Sequence, residues 1–401
     1  MDKICLLKNT VQEYAWGSFT AIPELLGNEH PQDRPQAELW MGAHPKAPSM
    51  VEWLGHQEPL DKLIEKYPQE ILGKAAAARF DNKLPYLFKV LAAAKPLSLQ
   101  AHPSRNQAEE GFCRENDLGI PLNAPNRNYK DDNHKPECIC ALTPFWALNG
   151  FRNIPEILSL FDLISPSGLQ NQLNHLRQNQ NPRGLKQFFQ ALMALAPDIQ
   201  KQVTDESIAK IKGQAEENSI FKWMKLLSNE YPADIGIFSP ILLNLICLHP
   251  GEAMFLPAGE LHAYLEGMGI ELMANSDNVL RGGLTPKHID VQALLSVLNF
   301  VEREIAIVTP QLKNNGEKVY PSPADEFVLS VLTVEKGMTY ESSVNRSIEL
   351  MICTEGESIF GDIDREEKIS CDRGTSVIIP AAVKRYKIEG SATLYKATVP
   401  S

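Results

Sequence analysis

One frame occurs twice in this chain. "GEAMFLPAGELH" runs Gly251-x5-Pro257-x-Gly259-x2-His262, and "GTSVIIPAAVKR" runs Gly374-x5-Pro380-x-Ala382-x2-Arg385. Each copy reads as a strand, a tight turn and a returning strand, so the repeat points to duplicated β-barrels. The first copy ends on an imidazole that can hold a metal. The second ends on a guanidinium that cannot. A chain of 401 residues exceeds one ordinary core and has room for two barrels and more.

From about residue 154 to 232, ahead of the first copy, the period changes. "GLKQFFQALMALAP" places Leu185, Phe188, Phe189, Leu192 and Met193 at helical spacing, and "IFKWMKLLSNEYP" does so with Ile220, Trp223, Met224 and Leu227. Pro197 and Pro232 close these segments. The expected fold class is therefore mainly β with an α insertion: two jelly-roll barrels plus a helical subdomain. The expected domains are a catalytic barrel from 1–150 with 240–300, a helical insertion at 151–239, and a C-terminal barrel at 301–401 that lacks a metal site.

Bulk charge narrows the partners. A formal net charge of −11 argues against non-specific nucleic-acid binding, though a local basic pocket can still take a small anion. The longest apolar run, around "PILLNLICL", is too short to span a bilayer, and the N-terminus lacks a signal peptide's apolar core. Seven cysteines without zinc-finger spacing read as reduced, buried thiols of a cytoplasmic protein. Neither a membrane nor a nucleic acid is expected as a partner, and a monomer is expected.

The first copy resembles the second sequence motif of the cupins. Their usual asparagine four residues after the histidine is absent; Glu266 stands there. The first cupin motif offers His-x-His on one strand. "LSLQAHP" fits that place with Gln100 and His102, which share a face at strand spacing. "YKDDNHKPE" adds a carboxylate. Pro136 biases Lys135 toward an extended conformation, so Lys135 and Glu137 share a face and His134 points away. The metal shell is then Gln100, His102, Glu137 and His262. Two imidazoles, a carboxylate and an amide oxygen suit Zn²⁺, one ion per chain, with Mn²⁺, Fe²⁺ or Co²⁺ conceivable. His30, His56, His175, His249 and His288 are given no role. Downstream, Arg281 and Lys287 lie among Gly282, Gly283 and Pro286, a cation pair suited to an anion.

"YKDDNHKPE" and "HAYLEGMGIELMANSDNVLRGGLTPK" resemble the signatures of the type I mannose-6-phosphate isomerases, as do "QEYAWGS" and "AELWMGAHP". The matches run from residue 12 to 287. One departure is Gly282, where the family usually has alanine. The resemblance implies a zinc-dependent aldose–ketose isomerase acting on a small sugar phosphate. It would interconvert mannose 6-phosphate and fructose 6-phosphate and feed GDP-mannose synthesis or mannose catabolism. The family's zinc ligands map onto Gln100, His102, Glu137 and His262. Its catalytic arginine maps onto Arg281, its other active-site groups onto Lys135, Asp277 and Glu271, and its sugar-phosphate neighbours onto Ser98 and Lys287.

The chemistry needs these residue types. Moving a proton between C2 and C1 through a cis-enediol requires a base and a cation for the developing oxygen charge. Lys135, Asp277 and Glu271 remain alternatives for the base, with His134 a weaker one. Two other readings use the same shell: an Fe²⁺-dependent cupin dioxygenase with a facial triad, and a non-catalytic sugar-binding cupin. No P-loop or Gly-rich nucleotide segment appears, so isomerase activity alone is expected.

Overall fold

The computed structural model of the chain describes residues 1–214 and 216–400. Its strands form two antiparallel assemblies, one of ten strands and one of eleven. In the first, the long strand His262–Ala274 is the axis. Its first half pairs with Phe145–Phe151, and His262 also lies opposite Gln100; its second half pairs with Tyr86–Ala93 and Glu137–Ala141. The strand changes partners at a bend. Register slips between Tyr264 and Glu266, and Gly267 follows at φ +127°, where a Cβ would stand 2.6 Å from the Pro144 carbonyl oxygen. Only glycine fits that corner. One strand thereby serves both faces of a closed sheet, as a jelly roll requires.

The second assembly repeats the plan with two long strands, Glu349–Asp362 and Tyr386–Thr398, paired along their lengths. It also recruits the N-terminus. Cys5–Lys8 pairs with Ser376–Ile379 on one side and Met50–Trp53 on the other, and His56–Pro59 extends that edge. The expected partition, with all of 1–150 in the catalytic barrel, misses this crossing. Cys5 and Leu7 are buried while Leu6 and Lys8 are exposed, so the strand alternates and covers an open edge of the second sheet. The halves share a core: Phe88, Val90 and Ile270 of the first pack with Phe327, Leu350, Ile352 and Ile378 of the second.

The insertion is helical, with helices Ile154–Ile164, Gln170–Gln178, Pro182–Met193, Pro197–Ile211 and Ser219–Glu230. Asn153, Asn181 and Asn218 cap three of them through their side-chain oxygens. Pro197 opens a helix as its first residue rather than merely closing the one before it. Leu185, Phe188, Phe189, Leu192, Trp223, Met224 and Leu227 are buried in one core with Phe161 and Phe238. Among the described residues, no helix is long and apolar enough to cross a membrane. All seven cysteines are free, but Cys113 is exposed and Cys247 partly so, which departs from the expectation of seven buried thiols.

Candidate active site

The repeat's turn builds the first wall. Gly259 has φ +82°, a conformation side chains resist, and its N–H donates to the His102 carbonyl at 2.9 Å. The turn thus holds the segment after strand Leu99–Ala101 beside the start of His262–Ala274. Within the sheet, Arg281 lies opposite Gln100, Gln100 opposite His262, and His262 opposite Asn149. Directly opposed residues share a face, so these four form one polar row across four strands.

His102, Glu137 and His262 converge beside that row. All three are 1–2% exposed. Their donor atoms lie within 4.8 Å of one another. His102 Nε2 is 3.3 Å from Glu137 Oε1, and His262 Nε2 is 3.5 Å from Glu137 Oε2. Both Nε2 atoms and Glu137 Oε2 have no hydrogen-bond partner, which is costly in a buried place unless something else binds them. Each Nδ1 is already committed: His102 to the Asn278 carbonyl at 2.7 Å and His262 to the Glu260 carbonyl at 2.9 Å. Carbonyls can only accept, so Nδ1 carries the proton and both Nε2 lone pairs face inward. Burial pulls His102 down to about 4, which keeps the ring neutral. Burial raises the Glu137 carboxyl, but the Lys135 ammonium at 3.1 Å, with the histidines, holds it well below the usual carboxylate range. Two imidazoles and an ionised carboxylate with idle donors fit a divalent cation.

Lys135 lies on the Glu137 side, and His134 turns away to Glu326, 2.6 Å from its Oε1. Arg281 is half-buried, and burial lowers its pKa. Burial also lowers Lys287, and the charges of Arg281 and Lys130 add to this. Among the described residues, no carboxylate forms an ion pair with Arg281, Lys287 or Lys130. Ser98 is half-buried in the segment that leads into Leu99–Ala101. Asp277 stands apart from the cluster. It pairs with Lys46 at 2.7 Å and His44 at 3.6 Å, and it lines a cleft of about 880 Å³ with Lys130, Asp131, Arg105 and Glu326. Burial raises its carboxyl, yet hydrogen bonds from His44 and Lys46 hold it well below its ordinary value. Glu266 is exposed at the register slip and takes no part.

Sequence reasoning named Glu271 but missed the buried layer of Lys89, Glu38 and Trp40 behind it. Glu271 pairs with Lys89 at 2.8 Å; Lys89 reaches Glu38 at 3.6 Å; and the Trp40 indole donates to Glu38 at 2.6 Å. Burial raises the Glu271 carboxyl despite Lys89. A signal was present: "YLFKVLAA" is buried at all eight positions, and Lys89 is its one charge. A lysine there demands buried carboxylate partners. Asn149 and Tyr264 were missed too; both are buried, with Oδ1 and the hydroxyl unpartnered. His44 sits inside "AELWMGAHP", where only the resemblance marked it.

Comparison with known proteins agrees with this geometry. The type I phosphomannose isomerase catalytic domain matches residues 4–154, the helical insertion domain of the same family matches 165–243, and the mannose-6-phosphate isomerase cupin domain matches 316–399. The mannose-6-phosphate isomerase of Salmonella typhimurium is 41% identical over 393 residues, covering 97% of each chain. That of Homo sapiens is 33% identical over 403 residues, covering 94% of this chain and 93% of its own. A solved zinc-bound mannose 6-phosphate isomerase superposes with a TM-score of 0.90 at 39% identity, over 99% of this chain and 100% of that one. With this fold, this cluster and these relatives, the chain belongs to the type I phosphomannose isomerase family.

Proposed function

We infer that this chain is a zinc-dependent mannose-6-phosphate isomerase, interconverting mannose 6-phosphate and fructose 6-phosphate. The observation that carries the reading is the His102–Glu137–His262 cluster with idle donor atoms, set beside Arg281 and Lys287, which among the described residues have no carboxylate partner. His102, Glu137 and His262 hold the metal, with Gln100, opposite His262, as the fourth ligand. Bound there, zinc supplies Lewis-acid stabilisation of the oxygen charge that develops as the C2 proton leaves.

The chain's own groups do the rest. Arg281, opposite Gln100, orients the C1 and C2 oxygens and offsets their charge with a half-buried guanidinium. Lys287 and Ser98 take the phosphate, whose binding energy fixes the sugar for proton transfer. Three groups are eligible as the base. Asp277 is the poorest, because His44 and Lys46 hold its carboxyl low and a weak base removes a carbon-bound proton slowly. Glu271, raised by burial, and Lys135, beside Glu137, are the two to separate.

The dioxygenase and storage-cupin alternatives lack support: the relatives are isomerases, and the solved relative holds zinc. We take the chain as a cytoplasmic monomer with one zinc, which sedimentation and metal analysis test. The activity itself is tested by assaying conversion on protein as isolated, after chelation, and after zinc is restored. Activity lost with the metal and regained with zinc is expected. No conversion in any of the three states overturns the reading.

A further inference from the structure

The two imidazoles of the cluster are held differently. His262 leans on the carbonyl of Glu260, two residues away in the turn that leads into its own strand. His102 leans on the carbonyl of Asn278, 176 residues away in a loop. What fixes Asn278 therefore fixes His102. We propose that Asn278 and Asp131, as positioning residues, form a clamp that sets the orientation of His102 and locks together the two loops that lead to Lys135 and Arg281. This rests on reading His102 as a metal ligand.

Asn278 is fully buried, and every polar atom of its side chain is used. Its Oδ1 accepts from the Lys130 N–H at 2.7 Å and the Asp131 N–H at 3.2 Å. Its Nδ2 donates to the Asp131 carbonyl at 2.8 Å, the Asn133 carbonyl at 2.9 Å and Asp131 Oδ1 at 3.2 Å. Asp131 answers from the opposite loop. Its Oδ1 accepts from the Ser276 hydroxyl at 2.7 Å and the Asn133 N–H at 3.0 Å, and its Oδ2 accepts from the Asp277 N–H at 2.7 Å. Each loop thus caps the backbone of the other. An amide supplies both donors and acceptors, so asparagine can bridge N–H and C=O groups at once; aspartate could not. The clamp leads from 130–133 to Lys135 and Glu137 along one loop, and from 276–278 to Arg281 along the other. In between, the Asn278 carbonyl keeps the proton of His102 on Nδ1 and turns Nε2 inward. Such outer partners set ligand geometry and metal affinity.

The test uses full-length protein loaded with Zn²⁺ or Co²⁺. Asn278→Ala should release zinc to a chelator roughly 10- to 100-fold faster than wild type, the range typical of lost outer partners. Its Co²⁺ d–d bands should shift, and kcat should fall more than KM rises. Asp131→Asn, nearly isosteric, should move all three readouts in the same direction by less. It decides the matter if Asn278→Ala does not fold. A purely structural clamp would lower thermal stability but leave the Co²⁺ spectrum and zinc release at wild-type values, and that result overturns the proposal. So does a fall in kcat with an unchanged spectrum. Wild-type protein that takes up neither metal would overturn the metal reading itself, a failure distinct from unchanged variants of a metal-binding wild type.

Discussion

The two barrels place carboxylates at the same point and put them to different uses. Glu137 begins its strand opposite Leu256, the residue before Pro257; Glu349 begins its strand opposite Ile379, the residue before Pro380. Two residues before the other cross-strand partner of each carboxylate stand Glu271 in the first barrel and Lys396 in the second. Opposite those lie Lys89 and Ser330, and one strand further out Glu38 and Glu317 occupy matching places. In the first barrel the lysine sits on the neighbouring strand, and Glu137 keeps an idle oxygen. In the second, Lys396 reaches Glu317 at 2.8 Å and Glu349 at 3.2 Å, while the Tyr386 hydroxyl at 2.7 Å and Arg346 at 3.4 Å take the other Glu349 oxygen. Arg385, at the place of His262, turns outward toward Asp364. A shared backbone does not make a metal centre. Buried donors left without partners do, and the second barrel has filled its carboxylate with an internal cation.

The comparison can be broken most forcefully at the first barrel. Replacing His102 or Glu137 by alanine should abolish zinc retention and lower kcat/KM by about 10³-fold or more, measured with metal analysis on the same samples. Retained zinc with full activity would mean the idle donors are not the metal's. Arg281→Ala comes next: about a 10²- to 10³-fold loss in kcat/KM with zinc content intact, since the guanidinium acts on substrate oxygen charge and not on the metal.

At the second barrel the expected effect moves from activity to stability. Lys396→Met leaves Glu317 and Glu349 buried without their ammonium and should cost about 3–5 kcal/mol in urea unfolding, with zinc content unchanged. Loss of zinc from a folded variant would show the two barrels to be coupled. The same network carries a pH signature. Burial raises the Glu317 carboxyl, but Lys396 and its hydrogen bonds hold it below the ordinary value. A depressed carboxyl stabilises the fold above its unfolded pKa of about 4.3, and that contribution fades as pH falls through the lower folded value. Glu317→Gln should therefore flatten the acid limb of stability against pH; an unaltered limb would remove Glu317 from the network. The smallest change is Gly282→Ala. The glycine does not use a positive φ, and an added Cβ would meet the Leu261 side chain at 3.0 Å and that of Leu294 at 3.4 Å, which can give slightly. Stability should shift by less than about 1 kcal/mol in thermal unfolding. A much larger loss would mean that strand is packed more tightly than its contacts suggest.

Local spacing carried a large part of this protein. The duplicated frame, the helical stripes of Phe188 and Trp223, and the shared face of Lys135 and Glu137 follow from periods of 2 and 3.6, which any short stretch displays. The resemblance of "YKDDNHKPE" and "NSDNVLRGG" to known signatures did the same for the activity. Register was different. That Arg281 faces Gln100, that Lys89 meets Glu271 182 residues later, and that Asn278 holds His102 are decided by which strands and loops lie side by side. So is the crossing of Cys5–Lys8 to the far barrel. Such pairings depend on edges, bulges and buried charges balanced across the whole sheet. No window of sequence contains them, because the partners that make a buried lysine or amide tolerable come from elsewhere in the chain.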